Sequence, residues 1–211
     1  MSAVKVKICG ITRYEDARLA LDAGAWAIGF VFHRASPRAI DPERAAAILD
    51  RLPRSTLAVG VFVDWPLAEL NETVRLARLR GAQLHGDESP EYAAKVEAEM
   101  VMKAFRVGED FDPSRIDAYS NQRILLDAYR AGVPGGTGRP FDWKVAREVS
   151  RRRPFILAGG LTPENAAGAI AEAQPEGIDV SSGVEASPGV KDPNKIRRLF
   201  EALGQKIQRG A

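Results

Sequence analysis

The chain has 211 residues, 45% hydrophobic and 27% charged, an ordinary globular balance that excludes wholesale disorder. Thirty Lys and Arg against 28 Asp and Glu leave a net charge of +2, without the basic footprint that nucleic-acid binding needs. The longest nearly unbroken apolar stretch, 25–32, is far short of the roughly 18 residues that span a bilayer, and the single cysteine excludes a disulfide framework.

In chain order, short apolar and β-branched runs recur at 4–8, 27–32, 57–63, 82–84, 101–105, 123–126, 155–158 and 177–180. They are nearly continuous rather than alternating in hydrophobicity, as strands buried on both faces must be. Between them, Ala46, Ala47 and Leu49 predict a helix over 43–51, and Leu70, Val74, Ala77 and Leu79 one over 67–79. Asp41-Pro42-Glu43, Ser89-Pro90-Glu91, Thr162-Pro163-Glu164 and Asp192-Pro193 each set a capping side chain before a proline at the first helical position. The cap oxygen accepts an orphan backbone N–H, and proline has none to leave unsatisfied. Basic clusters at Arg75-Arg78-Arg80, Arg151-Arg152-Arg153 and Arg197-Arg198 lie in or beside helices with acidic neighbours and read as solvated faces.

Eight strands alternating with about eight helices fit a doubly wound sheet or a closed barrel. Eight units favour the barrel, no Gly-x-Gly-x-x-Gly follows the first strand, and no linker divides the chain. The expectation is an α/β fold, one (β/α)8 TIM-barrel domain over 1–211, with its site where the strands end.

Strand 1 ends Ile8-Cys9-Gly10, which sets Cys9 at the mouth. A thiolate stabilised there by dipoles or cations serves as base or nucleophile; a small buried hydrophobe is the alternative. After strand 2, Arg38 can grip a carboxylate bidentately or remain a solvated arginine. Gln83-Leu84-His85-Gly86 closes strand 4, where His85 is a ligand contact or a satisfied structural histidine. His33 is the other histidine, and with no Cys/His spacing a metal site is not expected. Asp127 closes the apolar run 124–126, either as a general acid or as a cap on the next loop. Gly135-Gly136-Thr137-Gly138 offers a loop that can close over a ligand. Ala158-Gly159-Gly160-Leu161 and Ser181-Ser182-Gly183-Val184-Glu185 follow strands 7 and 8, where backbone N–H groups form this fold's recurrent phosphate cradle. Asp179 reads as orienting backbone or a neighbour rather than doing chemistry, and Trp26, Trp65 and Trp143 as helix-to-barrel packing.

Taken together, these segments resemble a known family over essentially the whole chain. Lys5-Val6-Lys7-Ile8-Cys9-Gly10-Ile11-Thr12, Gly29-Phe30-Val31-Phe32 with Ser36-Pro37-Arg38, Gly60-Val61-Phe62-Val63 and Gln83-Leu84-His85-Gly86 come first. Leu126-Asp127, Gly136-Thr137-Gly138, the 158–161 segment and Asp179 through Glu185 complete the set in order. The whole is similar to phosphoribosylanthranilate isomerases of tryptophan biosynthesis. The resemblance implies an Amadori rearrangement of N-(5-phosphoribosyl)anthranilate to 1-(2-carboxyphenylamino)-1-deoxy-D-ribulose 5-phosphate, with Asp127 as acid, Cys9 as base and no cofactor or metal. It implies phosphate held around Gly160, Ser182 and Gly183, the anthranilate carboxylate held by Arg38, and Gly136, Gln83 and His85 as further substrate-binding positions.

The expected partner is therefore a small-molecule substrate, not nucleic acid or membrane. Early charges at Arg13, Glu15 and Asp16 leave no apolar leader, so a cytoplasmic monomer or homodimer is expected. Two other readings differ at single features. A histidine-pathway sugar isomerase would carry aspartate in place of Cys9, and a non-catalytic sugar-phosphate sensor would need neither Cys9 nor Asp127.

Overall fold

A computed structural model describes residues 4–108, 110–127 and 143–204. Eight parallel strands close on themselves: β1 (Lys5–Cys9), β2 (Ala27–Val31), β3 (Ala58–Phe62), β4 (Gly81–Leu84), β5 (Met100–Arg106), β6 (Arg123–Asp127), β7 (Phe155–Ala158) and β8 (Gly177–Val180). Each pairs with the next in sequence, and β8 pairs back onto β1. The α/β barrel expected from the sequence is the fold observed.

Pairing register decides what enters the barrel. Lys7 stands opposite both Ala27 and Asp179, Cys9 opposite Gly29, and Asp127 opposite both Arg106 and Ala158. Because side chains alternate along a strand, these positions face inward while Ile8, Ile28 and Val180 join the apolar layer under the helices. The interior is divided. Met102, Ala104, Leu125, Ile156 and Ala158 make an apolar cluster packed with Trp26 and Met100, and buried Lys7, Gln83 and Asp179 make a polar group beside it, Gln83 opposite Met102 and Asp179 opposite Ala158.

Among the described residues the outer layer holds α1 (Tyr14–Asp22), α2 (Pro42–Leu49), α3 (Leu67–Leu76), α4 (Pro90–Ala93), α5 (Trp143–Arg152), α6 (Ala166–Ala173) and α7 (Pro193–Ala202). The expected α-helix after β5 is a 3-10 turn, Pro113–Ala118. α3 stops three residues before the sequence limit because Arg78 turns left-handed, at φ 52°, to return the chain to β4. Three of the four cap residues accept a backbone N–H: Ser89 that of Tyr92 at 3.2 Å, Thr162 that of Glu164 at 3.2 Å, and Asp192 those of Asn194 and Lys195 at 2.8 and 3.2 Å. Asp41 precedes α2 without a side-chain cap bond. The Thr162 start is displaced, since Asn165 accepts the Thr162 N–H at 2.8 Å and α6 begins behind it at Ala166. A hairpin absent from the sequence reading, β9 (Glu185–Ser187) with β10 (Val190–Lys191), follows β8.

Trp65 packs edge-on against Phe62, centroids 5.4 Å apart. Trp26 departs from the expected helix packing: it lies at the barrel floor, with the Lys5 ammonium and the Arg123 guanidinium over its ring. The readings of Trp143 and of Gly136 in the 135–138 loop fall outside the described side chains and residues. No described helix is long and apolar enough to cross a membrane.

Candidate active site

The C-terminal mouth gathers the inward residues of β1, β4, β6 and β8 around Cys9. Space for the thiol comes from β2: a Cβ on Gly29 would stand 2.7 Å from Cys9 Sγ and 3.1 Å from Lys7 Nζ. Burial pushes the Cys9 thiol up; the Lys7 and Lys191 cations pull it down, Asp179 adds to the rise, and the net shift is upward. Lys7 is wholly buried. Burial favours its neutral form, but Asp179 and Cys9 outweigh that, so its pKa lies above the ordinary lysine value and it remains a cation.

From Lys7 a single line of hydrogen bonds crosses the barrel to Asp127. Lys7 Nζ donates to Asp179 Oδ2 at 2.8 Å and to Gln83 Oε1 at 3.0 Å. Gln83 Nε2 lies 2.9 Å from His85 Nδ1, and His85 Nε2 lies 3.1 Å from Asp127 Oδ2. Behind His85, buried Glu88 accepts the N–H groups of Asp64 and Gly86 and binds Lys103 at 2.9 Å, which fixes the loops after β3 and β4. Both polar ends of Gln83 are thus engaged by protein groups, and its side chain is 1% exposed.

A second cluster borders Cys9 on the other side. Arg38 donates through Nε and Nη2 to the two oxygens of Glu185, at 2.9 and 2.7 Å. Lys191 Nζ adds a 2.8 Å bond to Glu185 Oε1, and Lys195 Nζ binds the Glu185 carbonyl at 2.7 Å. Burial raises the Glu185 carboxyl, but bonds from Arg38 and Lys191 outweigh it, and its pKa lies below the ordinary glutamate value. Gly10, at φ 77°, lets the arginine pass beside Cys9; a Cβ there would meet Arg38 Cδ at 2.6 Å. Beyond it, the loops after β7 and β8 are in contact, because a Cβ on Gly183 would strike the Leu161 carbonyl oxygen at 1.8 Å. Gly160 and Ser182 are exposed beside that junction.

The sequence profile of N-(5'phosphoribosyl)anthranilate (PRA) isomerase matches residues 6–202. The chain belongs to this isomerase family. An N-(5'-phosphoribosyl)anthranilate isomerase of Trichlorobacter lovleyi is 51% identical over 198 residues, covering 93% of this chain and 96% of its own. The crystal structure of phosphoribosyl anthranilate isomerase from Thermotoga maritima superposes with TM-score 0.88 at 40% identity, covering 95% of this chain and 98% of that one. A crystal structure of phosphoribosyl anthranilate isomerase in complex with reduced 1-(o-carboxyphenylamino)-1-deoxyribulose 5-phosphate matches with TM-score 0.85 at 39% identity over the same shares.

Of the sequence-derived positions in this family member, Cys9, Arg38, Gln83, His85, Asp127, Gly160, Ser182 and Gly183 all fall at the barrel mouth or directly beneath it. Asp179 orients a neighbour, as expected, through its ion pair with Lys7. Lys7, Glu185 and Lys191 are not among the sequence-derived positions. The signal was available for Lys7: a lysine inside Val6-Lys7-Ile8 and an aspartate inside Ile178-Asp179-Val180 are opposite charges in two fully buried strands, which pairing alone makes tolerable.

Proposed function

We infer that this chain isomerises N-(5'-phosphoribosyl)anthranilate in tryptophan biosynthesis, with Asp127 as general acid and Cys9 as general base. The observation carrying this reading is that one hydrogen-bonded line at the barrel mouth runs from the lysine beside Cys9 to Asp127. Asp127 gives its proton to the ribose ring oxygen, the furanose opens, and the anthranilate nitrogen becomes a protonated Schiff base. Cys9 then takes the proton from the second sugar carbon, and the enolamine tautomerises to the ketone. Both steps are proton transfers of the kind a positioned acid and base accelerate by about 10²–10⁴. The net shift of the free thiol is upward, so Cys9 must give its proton to solvent before it acts as base; the Lys7 and Lys191 ammonium groups and, after ring opening, the iminium cation are the charges that favour the thiolate.

Binding falls to the flanks. The joined loops after β7 and β8 offer backbone N–H groups near Gly160, Ser182 and Gly183 to the phosphate. Arg38, its Nε and Nη2 held by Glu185, keeps the Nη1 edge for the anthranilate carboxylate. A sensor would need these flanks but neither Cys9 nor Asp127, and a histidine-pathway isomerase is disfavoured by cysteine at position 9. The test is to mix the purified chain with freshly made phosphoribosylanthranilate and follow its fluorescence. Protein-dependent decay is expected; a trace identical to buffer alone would overturn the assignment.

A further inference from the structure

We propose that Gln83 and His85 are positioning residues which keep an N–H donor on Asp127 Oδ2 before and after the acid gives up its proton, a role resting on the reading of Asp127 as the acid. Lys7 sets the direction of the hydrogen bonds. An ammonium has donors and no acceptor, so the amide oxygen of Gln83 must face it, as it does at 3.0 Å. The reverse amide orientation would set an NH2 group against an NH3⁺ group in the barrel interior, with no acceptor between them. Gln83 Nε2 therefore donates to His85 Nδ1 across 2.9 Å. A ring nitrogen that accepts carries no proton, so the neutral imidazole bears its hydrogen on Nε2. That hydrogen points along the 3.1 Å contact to Asp127 Oδ2.

Every donor in the line thus points from Lys7 toward Asp127. When Asp127 is protonated, Oδ2 already accepts from His85. When Asp127 releases its proton, Oδ2 keeps the His85 bond and that bond becomes charge-assisted. It is therefore stronger after proton transfer than before, which is the condition for lowering a barrier rather than tightening ground-state binding. Gln83 does not relay the proton, because its amide would have to pass through an imidic acid. The line orients; it does not conduct.

Nitrogen-15 NMR of the substrate-free protein, at a pH where imidazole is neutral, tests the first half. The chain has two histidines, His33 and His85, so a His33→Gln variant assigns the signals. His85 should show protonated Nε2 and bare Nδ1; an Nδ1–H tautomer would overturn the proposal without any variant having to fold. Gln83→Glu supplies an acceptor where the amide donated, so the His85 hydrogen should move to Nδ1. Its kcat should drop about ten- to a hundredfold with KM nearly unchanged. His85→Gln, whose amide can donate from the Nε2 position, should retain more kcat than His85→Ala. Unchanged tautomer and kcat in Gln83→Glu would refute the positioning role. Full activity in Asp127→Asn would instead remove the acid assignment, while the resting tautomer stayed as found.

Discussion

Replacing Lys7 by methionine keeps the length of the side chain and removes the charge from the polar half of the barrel. Asp179, 8% exposed, loses the ammonium at 2.8 Å, and the Gln83 oxygen loses its donor at 3.0 Å. Deleting one partner of a buried ion pair costs about 3–5 kcal/mol, and a stranded amide oxygen about 1–3. Within one network these do not add, so a loss of about 3–5 kcal/mol is expected, a large share of the roughly 5–15 that a domain possesses. For a chain of this length, Tm should fall by roughly 6–20 °C. The double variant Lys7→Met/Asp179→Leu removes both charges and should regain most of the loss, since well-packed apolar groups often replace a buried pair at no net cost. Urea unfolding of wild type, single and double variants measures this directly. A single variant within about 0.5 kcal/mol of wild type, or a double variant no better than the single, would refute the reasoning. The same single variant should raise the Cys9 thiol pKa further, because Lys7 is the foremost of the charges pulling it down; ultraviolet absorbance of the thiolate against pH reports the shift.

Arg38→Met should weaken binding of the reduced product analogue about ten- to 150-fold, while an analogue without the ring carboxylate binds both proteins alike. Equal loss for both analogues would mean that Arg38 only shapes its loop. In Gly29→Ala, a Cβ 2.7 Å from Cys9 Sγ forces the thiol to move, so kcat should fall and stability drop by about 1–3 kcal/mol; an active, fully stable variant contradicts the crowding. Burial raises the Glu176 carboxyl, but hydrogen bonds from Lys5 and Arg123 outweigh it and hold it below the ordinary value. Its stabilisation is then complete above the unfolded value of about 4.3 and disappears as pH falls through the folded one. Glu176→Gln should flatten the acid side of the stability curve, and an unchanged acid slope would rule the effect out.

The strands were legible because burial on both faces leaves continuous apolar runs, and their limits shift by only a residue or so at either end. Helix ends were less so: the left-handed turn at Arg78 and the Asn165–Thr162 bond are local choices that apolar spacing does not encode. Cys9 and Asp127 stood out as polar groups closing apolar strands. What joins them did not, since the Lys7–Gln83 and Lys7–Asp179 bonds link residues 76 and 172 positions apart and exist only once the barrel closes. The β9–β10 hairpin was hidden for another reason. Its few residues are too short for an alternating pattern, yet it brings Lys191 onto Glu185 and so fixes the partner of Arg38.

Cys9 and Asp127 are proposed to perform the chemistry while other groups hold the substrate. Single-turnover decay of phosphoribosylanthranilate fluorescence should be measured for Cys9→Ala and Asp127→Asn, alongside their binding of reduced 1-(o-carboxyphenylamino)-1-deoxyribulose 5-phosphate. Each variant should lose at least about 10³-fold in rate and keep its affinity for the analogue. Near-normal turnover in either would contradict the account, leaving that residue as packing at position 9 or as a loop cap at position 127.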